Sequence, residues 1–467
     1  MTTTPSDSSW PQLAANDPPT ASARYFGVVL TALVILGVVL RVGVSLALGF
    51  HESPGQGSDA WEYDTYARSL ASGLGYFGPS PDLPEFHTTA FRTPGVSLPW
   101  ALLYVLFGQD PGVIRVFHAL LGGATVALVG LIGRRCFGPL VGLLAGAVVG
   151  THPILIFYSH ELMSESLAIF LVALTTWWGL ALADHPSWPR LIILGLVLGY
   201  SVLVRPNLIF TLPPLWLWGW WVFRRRDRNQ RAWALAVPLA TLGLTVLCML
   251  PWTIRNALAM NEFIPLSTLG GTTLLGAYNH RVLEEADLAG YWVYDGALPE
   301  YGDLLRRTAA EQGEVARDRL ALRLTRQWIV EHSDQLPRLW MLRLARAWTP
   351  FLQPKVEFKR RLLYTATWGP ILVLLMIGVI PSAVAFAHRD PAGLILHVGL
   401  VQFLMTTLVF YGASRFRAPV EPLCILIAVA TAWNLIQGWP WRRGWILRTD
   451  LATASAETRP VQVEATP

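Results

Sequence analysis

Residues 23–50, ARYFGVVLTALVILGVVLRVGVSLALGF, carry only Arg24 and Arg41 as charges along an otherwise apolar run. About twenty such residues are enough for a helix to cross the roughly 30 Å hydrocarbon core of a bilayer. Directly behind the run, GSDAWEYD (57–64) sets Asp59, Glu62 and Asp64 among aromatic residues. Three carboxylates beside a membrane do not help to anchor it, because anionic head groups repel them. A membrane span that delivers an acidic cluster to the water on its far side is therefore the first feature to explain.

Runs of the same kind recur along the chain, at 111–133, 139–153, 165–183, 191–204, 207–223, 233–252, 368–386, 392–411 and 419–436. Only 14% of the 467 residues are charged and 53% are hydrophobic, whereas a soluble domain is about a quarter charged. The pattern predicts an all-α polytopic membrane protein with about ten transmembrane helices. Two long segments separate the spans, 51–110 and 255–365. In the first, residues 94–107 are expected as a helix lying along the interface. The second carries LLRRTAAEQGEVARDRLALRLTRQWIVEH, whose apolar residues recur at three- and four-residue steps, as in surface-lying amphipathic helices. The ends 1–22 and 439–467 are expected as cytoplasmic tails around one membrane domain, 23–438, with disorder expected over 1–22 and 449–467.

The net charge of +5 comes from arginine clusters between spans: Arg134 and Arg135, RRRDRNQR (224–231), His388 and Arg389, and Arg442 and Arg443. All fall on one side, which the positive-inside rule makes cytoplasmic. Both termini are then inside, and the two long segments face outward from the plasma membrane. Lys355, Lys359, Arg360 and Arg361 run against this rule, at the end of a long segment where it weakens. No nucleic-acid footprint is present. No GxxxxGK[ST] or glycine-rich strand-to-helix turn suggests a nucleotide. Cys136, Cys248 and Cys424 are too far apart for a zinc motif or a disulfide framework.

With that topology, the polar groups at helix ends collect on the outer side. Asp59, Glu62 and Asp64 are joined there by Arg92 in FRTPG and by His160, Glu161 and Glu165 in SHELMSES. Arg205 in LVRPN, Arg255 and Asn256 in PWTIRN, His280 and Arg281 in YNHR, and Arg415 and Arg417 in SRFRAP complete the set. Ionisable groups at membrane depth are costly and line sites or paths. A single arginine can instead snorkel to the head groups, and Arg41 is expected to do so. Six loops bearing both signs of charge imply a shared site. Arginine forks suit phosphate oxygens, and a nearby carboxylate can take a proton from a hydroxyl. Lipid phosphate as donor and a hydroxyl as acceptor fit that mixture.

The order of these motifs resembles membrane glycosyltransferases of the GT-C class, in the branch of protein O-mannosyltransferases and the lipid A aminoarabinose transferase. It runs D-x-x-x-Y-x-x-x-A-R-x-L-x-x-G from Asp59, then R-x-P-G, S-E, R-P, PWTIRN and R-F-R-x-P. The resemblance implies inverting transfer of a sugar from a polyprenyl-phosphate donor, with Asp59 as general base. It places Arg92, Arg205, Arg415 and Arg417 against the donor phosphate. Glu62, Asp64, Glu165, Arg255, Asn256 and His280 become acceptor or accessory residues. A divalent ion is the one cofactor the pattern leaves room for, with His87, Glu161 and His280 as candidate ligands. The sequence departs from the mannosyltransferase pattern in showing Asp59-Ala60 where an Asp-Glu pair is usual, and in having no large extra domain in the second segment. The acceptor therefore stays open among glycolipid, polysaccharide and protein. The rival readings are a transporter or flippase for lipid-linked sugars and a non-catalytic homologue.

Overall fold

The structure is a computed structural model that describes residues 21–349, 358–438 and 445. Apart from Ala21, Ser22 and Trp445, the two expected tails lie outside these residues, as does Lys355.

The first span is α1 (Ala21–Gly49). The segment after it folds into α2 (Asp59–Ala71), a hairpin of β1 (Phe77–Ser80) and β2 (Leu83–Thr88), and α3 (Ser97–Phe107). The hairpin is antiparallel, pairing Phe77 with Thr88 and Gly78 with His87, and its register shifts between Gly78 and Ser80. The segment 94–107, expected as an interfacial helix, holds the helix α3. It buries Ser97, Trp100, Ala101 and Tyr104 on one face and exposes Leu98, Leu102, Val105 and Leu106 on the other.

The bundle continues through α4 (Pro111–Phe137), α5 (Pro139–Thr151), α6 (Pro153–His160), α7 (Glu165–Asp184), α8 (Trp188–Val204), α9 (Leu212–Arg224) and α10 (Trp233–Met260). α4 and α5 cross so closely that a Cβ on Gly142 would lie 2.4 Å from the Gly130 carbonyl oxygen. Small residues at such crossings are how helices pack where lipid removes the hydrophobic drive.

α5 and α6 form one bent unit, turned by 50° at His152. Pro153 causes the break: proline disfavours helical backbone at the residue before it and donates no hydrogen bond. A broken helix leaves carbonyls unsatisfied within the bundle, and Arg41 supplies the donors. Its Nη1 donates to the carbonyls of Gly37 (2.9 Å) and Gly150 (3.0 Å), and its Nη2 to that of Val149 (3.2 Å). Arg41 is 2% exposed, so the expectation that it snorkels outward is corrected. Backbone acceptors within the bundle hold it more cheaply than an extended reach to the head groups.

The second long segment contains α11 (Gly270–Ala277), α12 (Arg281–Glu284), α13 (Gly302–Glu331) and α14 (Leu336–Trp348) around its own small core, which includes Leu275, Leu305, Trp328 and Leu339. The chain returns through α15 (Phe358–Arg389), α16 (Ile395–Val409), α17 (Ser414–Arg417) and α18 (Glu421–Ile436). Among the described residues, seven helices are long and apolar enough to cross a membrane, or eight if the bent α5–α6 pair is one span. The ten expected spans are all helical, but the count of ten is not reached. α8, ended at Arg205 by Pro206, rises only about 25 Å at 1.5 Å per residue. α9 is shorter still, beginning after a 3-10 turn at Pro206–Thr211.

Candidate active site

Ser58 caps α2, its Oγ accepting from the Trp61 amide at 3.1 Å. That leaves the Asp59 side chain free of capping duty in the first turn. Asp59 and Glu62 are three residues apart and so share a helix face. Arg92 meets both: Nη2 donates to Asp59 Oδ1 at 2.6 Å and Nε to Glu62 Oε2 at 2.7 Å. Its guanidinium also lies over the rings of Tyr63 and Phe91, 5.1 and 5.2 Å from their centroids. Gly95 brings this turn against the end of α8. Its amide donates to the Leu203 carbonyl at 3.0 Å, and a Cβ there would sit 2.4 Å from the Leu203 carbonyl carbon.

The other half of the site is built on Glu165, which opens α7 and is 0% exposed. Arg205, held at the end of α8 by the following proline, donates from Nη1 to Glu165 Oε1 at 3.1 Å. Arg415 of α17 donates from Nε to the same oxygen, and from Nη1 to Asp59 Oδ2 at 2.6 Å. The result is one continuous chain of alternating charge in the order Glu62, Arg92, Asp59, Arg415, Glu165, Arg205. Each of the six was expected in the site from sequence. Glu165 Oε2 is buried with no donor among the described residues.

The two carboxylates on Arg92 differ electrostatically. Arg92, with Arg415 adding to it, outweighs burial and holds the Asp59 carboxyl well below the usual carboxylate range. At Glu62, burial outweighs the same arginine and pushes the carboxyl upward. One arginine thus separates two neighbouring acids into a firmly ionised group and a more basic one, a division that often marks acid–base sites.

The remaining expected residues lie off this chain. Arg417 is two positions from Arg415, and residues so spaced on a helical turn do not face each other. Its donors go to Glu421 at 3.1 Å, the Ala347 carbonyl at 2.7 Å and the Tyr364 hydroxyl, with its guanidinium 3.8 Å from the Trp368 centroid. Asp64 turns inward to Arg68 (2.7 Å) and the Tyr104 hydroxyl, fastening α2 to α3. Arg255 donates to the carbonyls of Thr89 (2.7 Å) and Tyr76 (3.0 Å), and Asn256 to that of Ile264 (3.1 Å), so both hold loops. His280 packs edge-on against His332 and lies 3.9 Å from Glu284.

The candidate metal ligands do not fit a metal. His87 pairs with Glu314 at 3.1 Å, and Glu161 lies in the turn between α6 and α7. Among the described residues no group of three or more His, Cys, Asp or Glu is placed to hold an ion. Asp59, Glu62 and Glu165 each take a guanidinium instead.

Residues missed from sequence hold Arg92 from behind. Thr89 and Ala90 just before it are gripped by Glu314 of the second segment. The available signal was Gly313, a lone glycine within a helical pattern, which marks a break or a close approach.

The architecture matches solved membrane enzymes. The oligosaccharyltransferase AglB from Archaeoglobus fulgidus, in complex with an inhibitory peptide and a dolichol-phosphate, superimposes with a TM-score of 0.53 at 15% identity over 94% of this chain. The chain shares the fold of the matched part of the oligosaccharyltransferase. The apo form of the same archaeal enzyme gives a TM-score of 0.55 at 14% identity over 92% of the chain. The chain spans about half the archaeal enzyme's length, covering 54% of it in both cases. The ArnT structure from Cupriavidus metallidurans bound to undecaprenyl phosphate is matched over 88% of this chain and 78% of its own, with 13% identity and a TM-score of 0.39. In sequence, residues 92–254 match the dolichyl-phosphate-mannose-protein mannosyltransferase family model. No curated protein matches the sequence. The matched region opens at Arg92 and includes Glu165 and Arg205.

Proposed function

We propose that this chain is a glycosyltransferase that moves one sugar from a polyprenyl-phosphate donor to a hydroxyl acceptor at the outer face of the plasma membrane. The domain at 23–438 carries the whole site. The observation that carries the reading is Asp59 held between Arg92 and Arg415, 2.6 Å from each. Two forks that meet one carboxylate can equally meet one phosphate group.

The donor phosphate competes with Asp59 for both arginines. Once they turn to phosphate, Asp59 loses the charges that keep it weakly basic, and its carboxyl returns toward the ordinary range. Asp59 then takes the proton of the acceptor hydroxyl as that oxygen attacks the anomeric carbon. The bond from that carbon to the phosphate oxygen breaks, and the leaving polyprenyl phosphate keeps the electron pair. The arginines stabilise that charge where it develops. A single displacement of this kind inverts the anomeric centre. Glu165 Oε2 is an acceptor oxygen without a donor among the described residues and suits a substrate hydroxyl. The dolichol-phosphate in the matched archaeal enzyme agrees with the donor class proposed here. The flippase alternative draws no support from Arg41, whose Nη1 and Nη2 donate to backbone carbonyls.

Arg92→Ala is expected to weaken binding of polyprenyl phosphate to the purified protein by one to two decades, since a charge-assisted contact contributes about 1.5–3 kcal/mol. Arg92→Lys recovers only part of it, because an ammonium lacks the planar fork. Unchanged affinity in the alanine variant would remove Arg92 from the donor site.

Orientation is tested by labelling in intact cells. Ala310 of α13 and Asn229 between α9 and α10 are both exposed. A cysteine at 310 is expected to react with an impermeant thiol reagent and one at 229 to stay unlabelled. Cys136 and Cys424 are buried, and Cys248, which is half-buried, is replaced beforehand. The reverse labelling would put the site on the cytoplasmic side.

A further inference from the structure

The second long segment carries none of the six charges in the chain, yet it grips the residues just before Arg92, which bridges Asp59 and Glu62. α13 is broken at Gly313, whose backbone stands at φ 82° and ψ −179°. Glycine adopts that conformation at little cost, whereas other residues are strained there. Glu314 follows the break and opens the second half of the helix, where the helix dipole favours a carboxylate.

Its side chain is 3% exposed and is saturated by three partners in the first segment and by Thr268 of its own. Oε1 accepts from the Ala90 amide at 2.7 Å and the Thr268 hydroxyl at 3.3 Å. Oε2 accepts from the Thr89 hydroxyl at 2.6 Å and faces His87 Nε2 at 3.1 Å. The grip extends along the strand end. Thr89 Oγ1 accepts from the Phe91 amide at 3.0 Å, the Thr268 amide donates to the Ala90 carbonyl at 3.0 Å, and Arg255 donates to the Thr89 carbonyl at 2.7 Å. One residue beyond Phe91 stands Arg92. Nearby, Arg317 holds Asp82 at the hairpin turn (2.7 Å) and Asp295 (2.9 Å), so a buried ion-pair bridge joins the hairpin to the second segment.

We propose that Glu314 is a positioning residue for Arg92. It fixes residues 87–91 so that the guanidinium reaches Asp59 and Glu62 together, and the phosphate subsite is assembled only when the second segment is docked on the first. Assigning Arg92 to a phosphate subsite depends on the function proposed above; the fixing of the loop does not. Glu314 touches no reacting atom. Its effect passes through the backbone of Thr89 and Ala90, so a substitution there changes how well Arg92 is placed rather than which groups are present.

Glu314→Gln replaces one acceptor oxygen by a donor group, so Thr89 and His87 keep their bonds to it only by accepting where they now donate, and the charge that holds them is lost. Thr89→Val removes one of those partners and serves as a milder second variant. Two readouts are combined. Amide hydrogen exchange across 87–92 is expected to accelerate in both variants, more in Glu314→Gln, while exchange in the spans is unchanged. Polyprenyl phosphate affinity is expected to fall about tenfold in Glu314→Gln, and to fall no further when Glu314→Gln is added to Arg92→Ala, because residues acting through one contact are non-additive. Glu262→Gln breaks an exposed pair with Arg319 in the same region and is expected to leave both readouts unchanged.

Unchanged exchange at 87–92 overturns the proposal. So does a fully additive loss of affinity with Arg92→Ala, which would mark Glu314 as supporting the fold in general. Exchange requires neither donor nor turnover, so it judges the fixing of the loop even if the wild-type protein binds no polyprenyl phosphate. That last result would instead sink the transferase reading.

Discussion

Asp59→Asn is expected to lower turnover by about 10²- to 10⁴-fold, the usual contribution of a general base, with donor affinity much less affected. Asparagine keeps the size of the side chain. Arg92 retains Glu62 and Arg415 retains Glu165, so the site keeps its shape and the protein inserts and folds. Glu62→Gln is the informative comparison. Glu62 shares Arg92 with Asp59, and burial makes it the more basic of the two before donor binds. If Glu62→Gln abolishes turnover while Asp59→Asn retains it, Glu62 is the base and Asp59 only orders the arginines. Asp64→Asn acts differently. Its partners Arg68 and Tyr104 belong to the seam between α2 and α3, so it is expected to lower thermal stability and leave the turnover of folded protein intact.

Arg415→Ala has the second largest expected effect, because Arg415 links the two halves of the site. Without it, buried Glu165 keeps only the 3.1 Å contact to Arg205, and Asp59 loses its bond at Oδ2. Removing one partner from a buried ion pair costs about 3–5 kcal/mol, and the remaining Arg205 places this variant toward the lower end. A fall of several degrees in the melting midpoint in detergent is expected, together with loss of measurable donor binding. Arg415→Lys is expected to recover stability in part and affinity poorly, since one ammonium cannot span both carboxylates as the fork does. Wild-type stability and affinity in the alanine variant would show that the two halves of the site do not depend on this link.

Much of the site was legible because few physical arguments were needed. Apolar length marked the spans, and charge at their ends on one side marked the place where the chain could collect ionisable groups. The three-residue spacing of Asp59 and Glu62 already places them on one face, and the proline after Arg205 already ends α8 there. The same periodicity separates Arg415 from Arg417, a point that listing both as basic neighbours overlooks. Arg255, Asn256 and Asp64 have side chains that satisfy backbone or helix partners in loops, and nothing in a single sequence distinguishes such a role from substrate contact.

Other features were hidden for definite reasons. The hairpin at Phe77–Ser80 and Leu83–Thr88 is interrupted by Pro79, Pro81 and Pro84, and prolines argue against strands except at edges. A two-stranded ribbon consists only of edges and tolerates them. Arg41 looked like a snorkelling residue because its partners, the carbonyls at the end of α5, exist only when Pro153 breaks the helix. Glu314 lies over two hundred residues from Ala90 in sequence, its separation being 224, and that contact is set by the docking of one long segment on the other.

The central claim is that this site breaks the bond between a sugar and a polyprenyl phosphate. The most direct measurement incubates the purified protein with radiolabelled polyprenyl-phosphate sugars and membrane-extracted hydroxyl acceptors, and follows the release of free polyprenyl phosphate. Acceptor-dependent release by the wild type, lost in Asp59→Asn and Arg415→Ala, is the predicted result. Donors that bind but stay intact with every acceptor, or release that continues unchanged in both variants, would contradict it.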